Sequence, residues 1–349
     1  MKLNRLLVAF VAVGIVCGLA YVAQERRTTA DRMTAAAKKF MASLEADQQK
    51  KATYPFDSEE RTNWNFVPLQ KSIEGKRVHL RKGLPLHEMT EKQQRLAINL
   101  LASGTSLDGK NKAVLIMALE GILNKLQKNG GTVRNPEWYN VTIFGEPSKT
   151  GKWGWRIEGH HLSLNYTLEG GKIISTTPAF FGANPAVVYT KRGSLLGYEA
   201  LPSCEILAQA LFRSLDKGQQ KVVLQKKAFG EPKQGSPTAD VGEPVGLPAS
   251  KMNEKQKKLL TKLIRTYAMR MPFDLGRKEW ERVEEAGFEK VHFAYTGGVK
   301  RGVPHTYRVQ GPTFVIEFLN TQPGGGGKSA NHIHSCWRAI GGDFGLQAK

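Results

Sequence analysis

The chain repeats itself, and that restricts its folds to those one half can build and a second half can match. Gly83-Leu84-Pro85, followed three residues later by Met89-Thr90-Glu91-Lys92-Gln93, returns as Gly246-Leu247-Pro248 and Met252-Asn253-Glu254-Lys255-Gln256. Trp155-Arg156-Ile157-Glu158-Gly159 returns as Tyr307-Arg308-Val309-Gln310-Gly311. The copies part at the histidines. His160 and His161 follow the first glycine, and Pro312 and Thr313 follow the second. The second copy has its own pair, His332 and His334, where the first has Ser175 and Thr177. Repetition specifies a scaffold, and polar residues where the copies diverge mark where a site has been built.

Periodicity assigns the elements. Apolar residues at helical spacing predict helices over 89–103, capped by Thr90, and over 113–126, 203–215 and 252–271, with another around 278–286. Each copy then ends in strands. Residues 153–158 and 161–167 form a hairpin about a Gly159-His160 turn, matched by 306–310 and 313–319 about Gly311-Pro312. A further strand follows each, over 172–180 and 329–337. The expected fold is α+β: two diverged repeats, each of helices followed by an antiparallel β-meander, related by a pseudo-twofold axis. Residues 61–228 form the first repeat, a Gly/Pro-rich linker spans 229–250, and 251–349 form the second. Alternation places Trp155, Ile157, Leu162, Leu164 and Tyr166 on one face, and Tyr307, Val309, Phe314, Ile316 and Phe318 on its counterpart. The other face carries Arg156, Glu158, His161, Ser163 and Asn165, with Arg308, Gln310, Thr313 and Glu317 in the second copy.

The N-terminus reads as a targeting segment. Lys2 and Arg5 precede an apolar run from Leu6 to Ala23, closed by Gln24-Glu25-Arg26-Arg27. Residues 1–27 are thus a signal peptide or an N-terminal membrane anchor, and the protein is extracytoplasmic. Residues 28–60 read as a polar helical spacer. Lys and Arg number 51 against 31 acids, a formal charge of +20, which favours an anionic substrate or a cell-envelope surface as partner. Part of the excess is a solvated helix face, as at Lys255, Lys257, Lys258 and Lys262. Export argues against nucleic acid as a partner. Cys204 and Cys336 are the cysteines left beyond the targeting segment, so a disulfide scaffold is excluded. No phosphate-binding glycine loop, nucleophile elbow or His-Glu-x-x-His helix is present, and no nucleotide cofactor is expected.

His332 and His334 are the sharpest chemical signal. Residues i and i+2 of a strand point the same way, so both rings can share one ion, and neutral imidazole suits zinc, copper or iron. A catalytic ion takes three protein ligands and keeps one position open. His161 supplies a third, His160 is a turn or outer residue, and Glu317 or Glu158 offers a carboxylate ligand or general base. Arg156 and Arg308, at matching positions, with Asn165, are candidates for binding an anionic substrate. Structural arginines bonding loop carbonyls are the alternative.

Long motifs carry a resemblance. Trp64-Asn65-Phe66-Val67-Pro68, the stretch from Trp153 to Asn165, Gly182-Ala183-Asn184-Pro185-Ala186, Asn320-Thr321-Gln322 and Asn331-His332-Ile333-His334-Ser335 together resemble the bacterial family catalogued as domain of unknown function 3500, from about Arg61 to the C-terminus. The resemblance implies no activity. It implies an acid just before Asn320, where this chain has Leu319, an aliphatic residue at Cys336, and a shorter segment than Pro323 to Lys328. The reading favoured is an exported, metal-dependent hydrolase with a His-rich cleft between two repeats. A copper or iron oxidoreductase is the rival, and a non-catalytic binding module for an anionic glycan or peptide is the third.

Overall fold

The computed structural model describes residues 28–346 apart from 75, 128–130, 190–194 and 326. The targeting segment expected over 1–27 lies outside the described residues. Among the described residues, no helix is long and apolar enough to cross a membrane.

The fold is α+β, with one large mixed sheet. The first half contains α1 (Thr29–Met41), α2 (Ala46–Ala52), α3 (Glu91–Gly104) and α4 (Leu107–Leu126). Its strands are β1 (Thr53–Tyr54), β2 (Gln70–Ile73), β3 (Lys76–His79), β4 (Leu84–Pro85), β5 (Asn140–Phe144), β6 (Lys152–Gly159), β7 (Leu162–Glu169), β8 (Lys172–Ser175) and β9 (Ala179–Ala183). The second half contains α5 (Pro202–Ser214), α6 (Lys217–Val223), α7 (Glu254–Ala268) and α8 (Phe273–Glu285). Its strands are β10 (Leu247–Pro248), β11 (His292–Gly297), β12 (His305–Gln310), β13 (Phe314–Pro323) and β14 (Ala330–Ala339). In the sheet the order runs β5-β6-β7-β9-β14-β13-β12-β11-β10, with β1 and β4 both flanking β5 and β8 beside β7. Strands β2 and β3 form a separate hairpin.

The apolar alternation read from sequence is the face that the helices cover. Trp155 and Ile157 pair with Tyr166 and Leu164 across β6–β7, and Tyr307 and Val309 with Phe318 and Ile316 across β12–β13. Gly104 ends α3 against Trp155, whose ring would lie 2.6 Å from a Cβ there. From α7, Tyr267 meets the hydroxyl of Tyr307 at 2.6 Å. Both turns sit one residue later than expected. Gly159 pairs with Leu162, so His160 and His161 make the turn. Gly311 N–H donates to Phe314 O at 2.9 Å, leaving Pro312 and Thr313 as the second turn. Moving a two-residue turn by one shifts each pairing by two, so the side chains keep their faces.

The polar face is not a surface. Residues 56–68 lie over it, with Trp64 and Phe66 packed on Phe180, Cys336 and Phe344. Residues 229–243, read as a linker, form a strap across it. Arg338 donates to Lys233 O and Ser236 O, Arg308 to Val241 O, and Gln310 to Gly242 O. Nor do residues 28–60 behave as a spacer. The stripe Met33, Ala37 and Phe40 of α1 is fully buried in the main core. Small alanines among lysines hid that narrow face.

Candidate functional site

The site stands where the β6–β7 turn meets the start of β14. His161 occupies the turn with φ 65°, in the left-handed region that side chains larger than glycine seldom adopt. Its N–H donates to Phe66 O at 2.9 Å, and its carbonyl accepts from Gly182 N–H at 2.7 Å. Both bonds hold the peptide and so aim the ring. His332 and His334 stand two apart on β14 and point the same way. The His332 N–H donates to Asn320 Oδ1 at 3.1 Å.

These three rings converge. Ring centroids are 4.8 Å apart for His161 and His332, 5.1 Å for His161 and His334, and 4.7 Å for His332 and His334. One ligand atom from each lies within 4.8 Å of the other two, a geometry able to hold a metal ion. Nε2 of His161 is 2.8 Å from Nε2 of His332. A second group, Glu120, His160 and His161, meets the same criterion and shares His161.

Carboxylates back the outer rings. His334 Nδ1 donates to Glu231 Oε2 at 2.5 Å, from the strap. His160 Nδ1 lies 2.5 Å from Glu120 Oε1, a buried acid on the core face of α4. Arg134 Nη1 lies 3.2 Å from His160 Nδ1 and 3.5 Å from its Nε2. Burial, then the neighbouring histidines, holds the His161 imidazole far below its ordinary pKa. Burial, then His334, brings His332 down to about 3. Burial also lowers His160, against the opposing pull of Glu120. At neutral pH these rings are neutral, the form that binds metal.

The other expected site residues share the polar face but not the cluster. Glu158 is bonded by Arg81 at 2.5 Å, Ser163 Oγ at 2.9 Å and the Asn65 N–H at 2.7 Å. Arg156 is 1% exposed, donates to Glu60 O at 3.0 Å and pairs with the Glu60 carboxylate. Arg308 lies over the Phe229 ring, 3.4 Å from Glu317. Asn165 donates to Ser163 Oγ and Pro178 O. Burial raises the pKa of the Glu317 carboxyl despite Arg308 beside it. The histidine groupings able to hold a metal contain neither Glu158 nor Glu317. Arg156, Glu158, Asn165 and Glu317 are buried and Arg308 is half-buried, and the bonds they make are to other groups of the protein. Cys336 is fully buried, and burial pushes its thiol pKa well up.

Glu120, Arg134 and Glu231 were not singled out from sequence. Glu120 carried a signal, an acid between Met117 and Leu123 on the buried face of an amphipathic helix. Arg134 and Glu231 lie in irregular segments outside the repeat and carried none. A cavity of about 600 Å³ lined by Lys38, Met41, Thr53, Tyr54, Pro55, Gly145, Glu146 and Pro147 lies elsewhere, with no histidine in its lining.

Leu319 faces His334 across β13–β14, so an acid at that position would stand beside the cluster. Here the acid on His334 is Glu231, from the strap. No curated protein and no solved structure matches the chain. The profile of the DUF3500 family, described as a protein of unknown function, matches residues 26–346, and the chain belongs to that family.

Proposed function

We propose that this chain is an exported metal-binding protein in which His161, His332 and His334 hold one ion for a metal-dependent hydrolysis. The convergence of the three rings carries the reading. A tetrahedral ion with nitrogens at 2.0–2.1 Å keeps them about 3.3 Å apart, so the His161–His332 pair needs to open by roughly 0.5 Å. Glu231 on His334 is the outer carboxylate that fixes a ligand's tautomer and orientation. Without an ion, Glu120 and Glu231 outnumber Arg134 by one negative charge, which favours a cation. Three protein ligands leave a position open, and a bound ion supplies a Lewis acid and an activated water for ester, amide or glycosidic substrates. We assign His160 the role of proton acceptor, through the Nε2 lone pair left free when Nδ1–H bonds Glu120.

We also infer that the scaffold is a duplication about a pseudo-twofold axis between β9 and β14. Strands β4-β5-β6-β7-β9 on one side are answered by β10-β11-β12-β13-β14 on the other. Gly83 and Gly246 precede the edge strands with φ 92° and 94°, where a Cβ would lie 2.8 Å from Val141 O and 2.2 Å from Phe293 O. Gln93 bonds Ser43 O and Gln48 as Gln256 bonds Ser214 O and Gln219. These matches extend the repeat to α1–α2 and α5–α6. Export rests on residues 1–27.

The test is turnover. Zinc-loaded protein offered a panel of esters, peptides and glycosides hydrolyses one class, and His332→Ala and His334→Ala, still folded, lose both zinc and turnover. Loaded with copper or iron and active only in redox assays, the protein is an oxidoreductase instead. Folded, metal-free variants that keep glycan or peptide binding would make it a binding module.

A further inference from the structure

A separate polar cavity lies between α8, the end of β8 and the β12–β13 turn. It has a volume of about 240 Å³ and no histidine in its lining. The turn contributes Thr313, which stands two after Gly311 as His161 stands two after Gly159. The repeated turn thus meets imidazoles in one half and hydroxyls in the other.

Ser175, Thr176 and Thr177 line the cavity and are buried, yet their bonds are long. Ser175 Oγ lies 3.3 Å from Thr177 O and 3.4 Å from Thr177 Oγ1. Thr176 Oγ1 lies 3.4 Å from Glu279 Oε1. A hydroxyl ordinarily closes to about 2.5–3.0 Å on an oxygen acceptor. The Thr177 hydroxyl also bonds Asp343, which leaves Ser175 and Thr176 poorly met. A ligand that completes such bonds recovers stability that their burial costs.

Glu279 and Arg282 are three apart on α8 and share a face. Arg282 Nη1 donates to Glu279 Oε1 at 2.8 Å, the oxygen that Thr176 also approaches. Among the described residues, Glu279 Oε2 and the other guanidinium N–H groups of Arg282 have no partner, and no other ionisable side chain lines the cavity. Its charge therefore sums to zero. A charged ligand would break the pair or sit uncompensated beside it. A neutral ligand with several hydroxyls can donate to Oε2 and accept from the guanidinium while the pair stays intact. Phe314, stacked on Trp337 with centroids 4.8 Å apart, adds an apolar wall. The volume falls below the about 300–1,000 Å³ of drug-sized pockets, which limits the ligand to about one ring.

We propose that this cavity binds a single neutral sugar ring. Such a ring carries hydroxyls around its edge and apolar C–H groups on its faces, matching the polar and apolar parts of the wall. The site is independent of the histidine cluster and of any ion held there.

The full chain is titrated by ligand-observed NMR with glucose, galactose, mannose and N-acetylglucosamine in turn. Glucuronate and glycine are the charged comparators. The expected result is saturable binding of at least one neutral sugar, and weaker binding of both comparators. Glu279→Gln lowers that affinity at least tenfold and Thr176→Val at least threefold, while EDTA leaves it unchanged. Circular dichroism checks the fold of each variant, and Thr176→Val keeps the test open should Glu279→Gln not fold. No saturable binding of any of the four sugars would overturn the proposal. So would unchanged affinity in either folded variant, a comparator that binds more tightly than every sugar, or binding lost with EDTA.

Discussion

His161 shows how one residue serves the fold and the site with opposing demands. Its positive φ is unfavourable for a large side chain by about 1 kcal/mol or more, and the turn keeps it there through bonds to Phe66 and Gly182. Asn tolerates that conformation better than other residues and carries no imidazole. His161→Asn is therefore expected to unfold at a urea midpoint close to wild type while its metal affinity falls by about 100-fold or more, beyond the 10–100-fold typical of an outer partner. A large loss of stability would mean that the ring is held for packing. Glu158 answers to the opposite logic. Its carboxylate and Arg81 are both 2% exposed, so removing one leaves a buried unpaired charge. Arg81→Met is expected to cost about 3–5 kcal/mol by urea denaturation and to leave the metal content of the folded fraction unchanged. Unchanged stability would return Glu158 to the list of catalytic candidates.

At the scale of elements, the repeat made the hairpins legible because apolar residues alternate in both copies. The same pattern hid what covers the polar face. Arg156 and Arg308 looked available because periodicity says which face a side chain is on, not which irregular segment lies over it. The strap and residues 56–68 have no period to read. Strands β5 and β11, buried along most of their length, offered little alternation. Helix α4 began earlier than its apolar pattern because Ser106 caps it ahead of Gly109, with Ser106 Oγ accepting from the Gly109 N–H at 3.1 Å. Gly109 itself belongs to packing. A Cβ there would lie 2.1 Å from the carbonyl oxygen of Arg270, backbone that cannot step aside. Alanine normally favours a helix over glycine by about 1 kcal/mol. Here Gly109→Ala is expected to destabilise by about 1–3 kcal/mol in chemical denaturation. A stabilised variant would show that α4 and the end of α7 are not in contact.

For the molecule as a whole, the histidines that could converge were legible and the groups that tune them were not. His332 and His334 alternate on a strand, and His161 follows the repeated motif that ends in Gly159. Glu120, Arg134 and Glu231 reach them from a helix, a loop and the strap, placed by tertiary structure alone. Histidines outside the cluster make the fold sensitive to acid. Burial lowers His79 below its ordinary 6.5 despite its contact with Asn140, and lowers His305 despite Val303 and Glu205. The unfolded chain protonates both as pH falls through about 6.5, while the folded chain resists until lower pH. Their contribution is thus intact above 6.5 and lost progressively as pH falls toward the folded values. The urea midpoint of metal-free protein is expected to drop between pH 7.5 and 5.5, and by less in His79→Gln and in His305→Gln. A drop unaltered in both variants would place the acid sensitivity elsewhere.

Three rings from two distant parts of the chain are proposed to hold one ion. Elemental analysis of protein purified without chelator measures it. About one equivalent of zinc, copper or iron per chain is expected, lost in a folded His332→Ala, His334→Ala double variant. A folded wild-type protein that contains no metal, and takes none up on dialysis against each ion in turn, would contradict it.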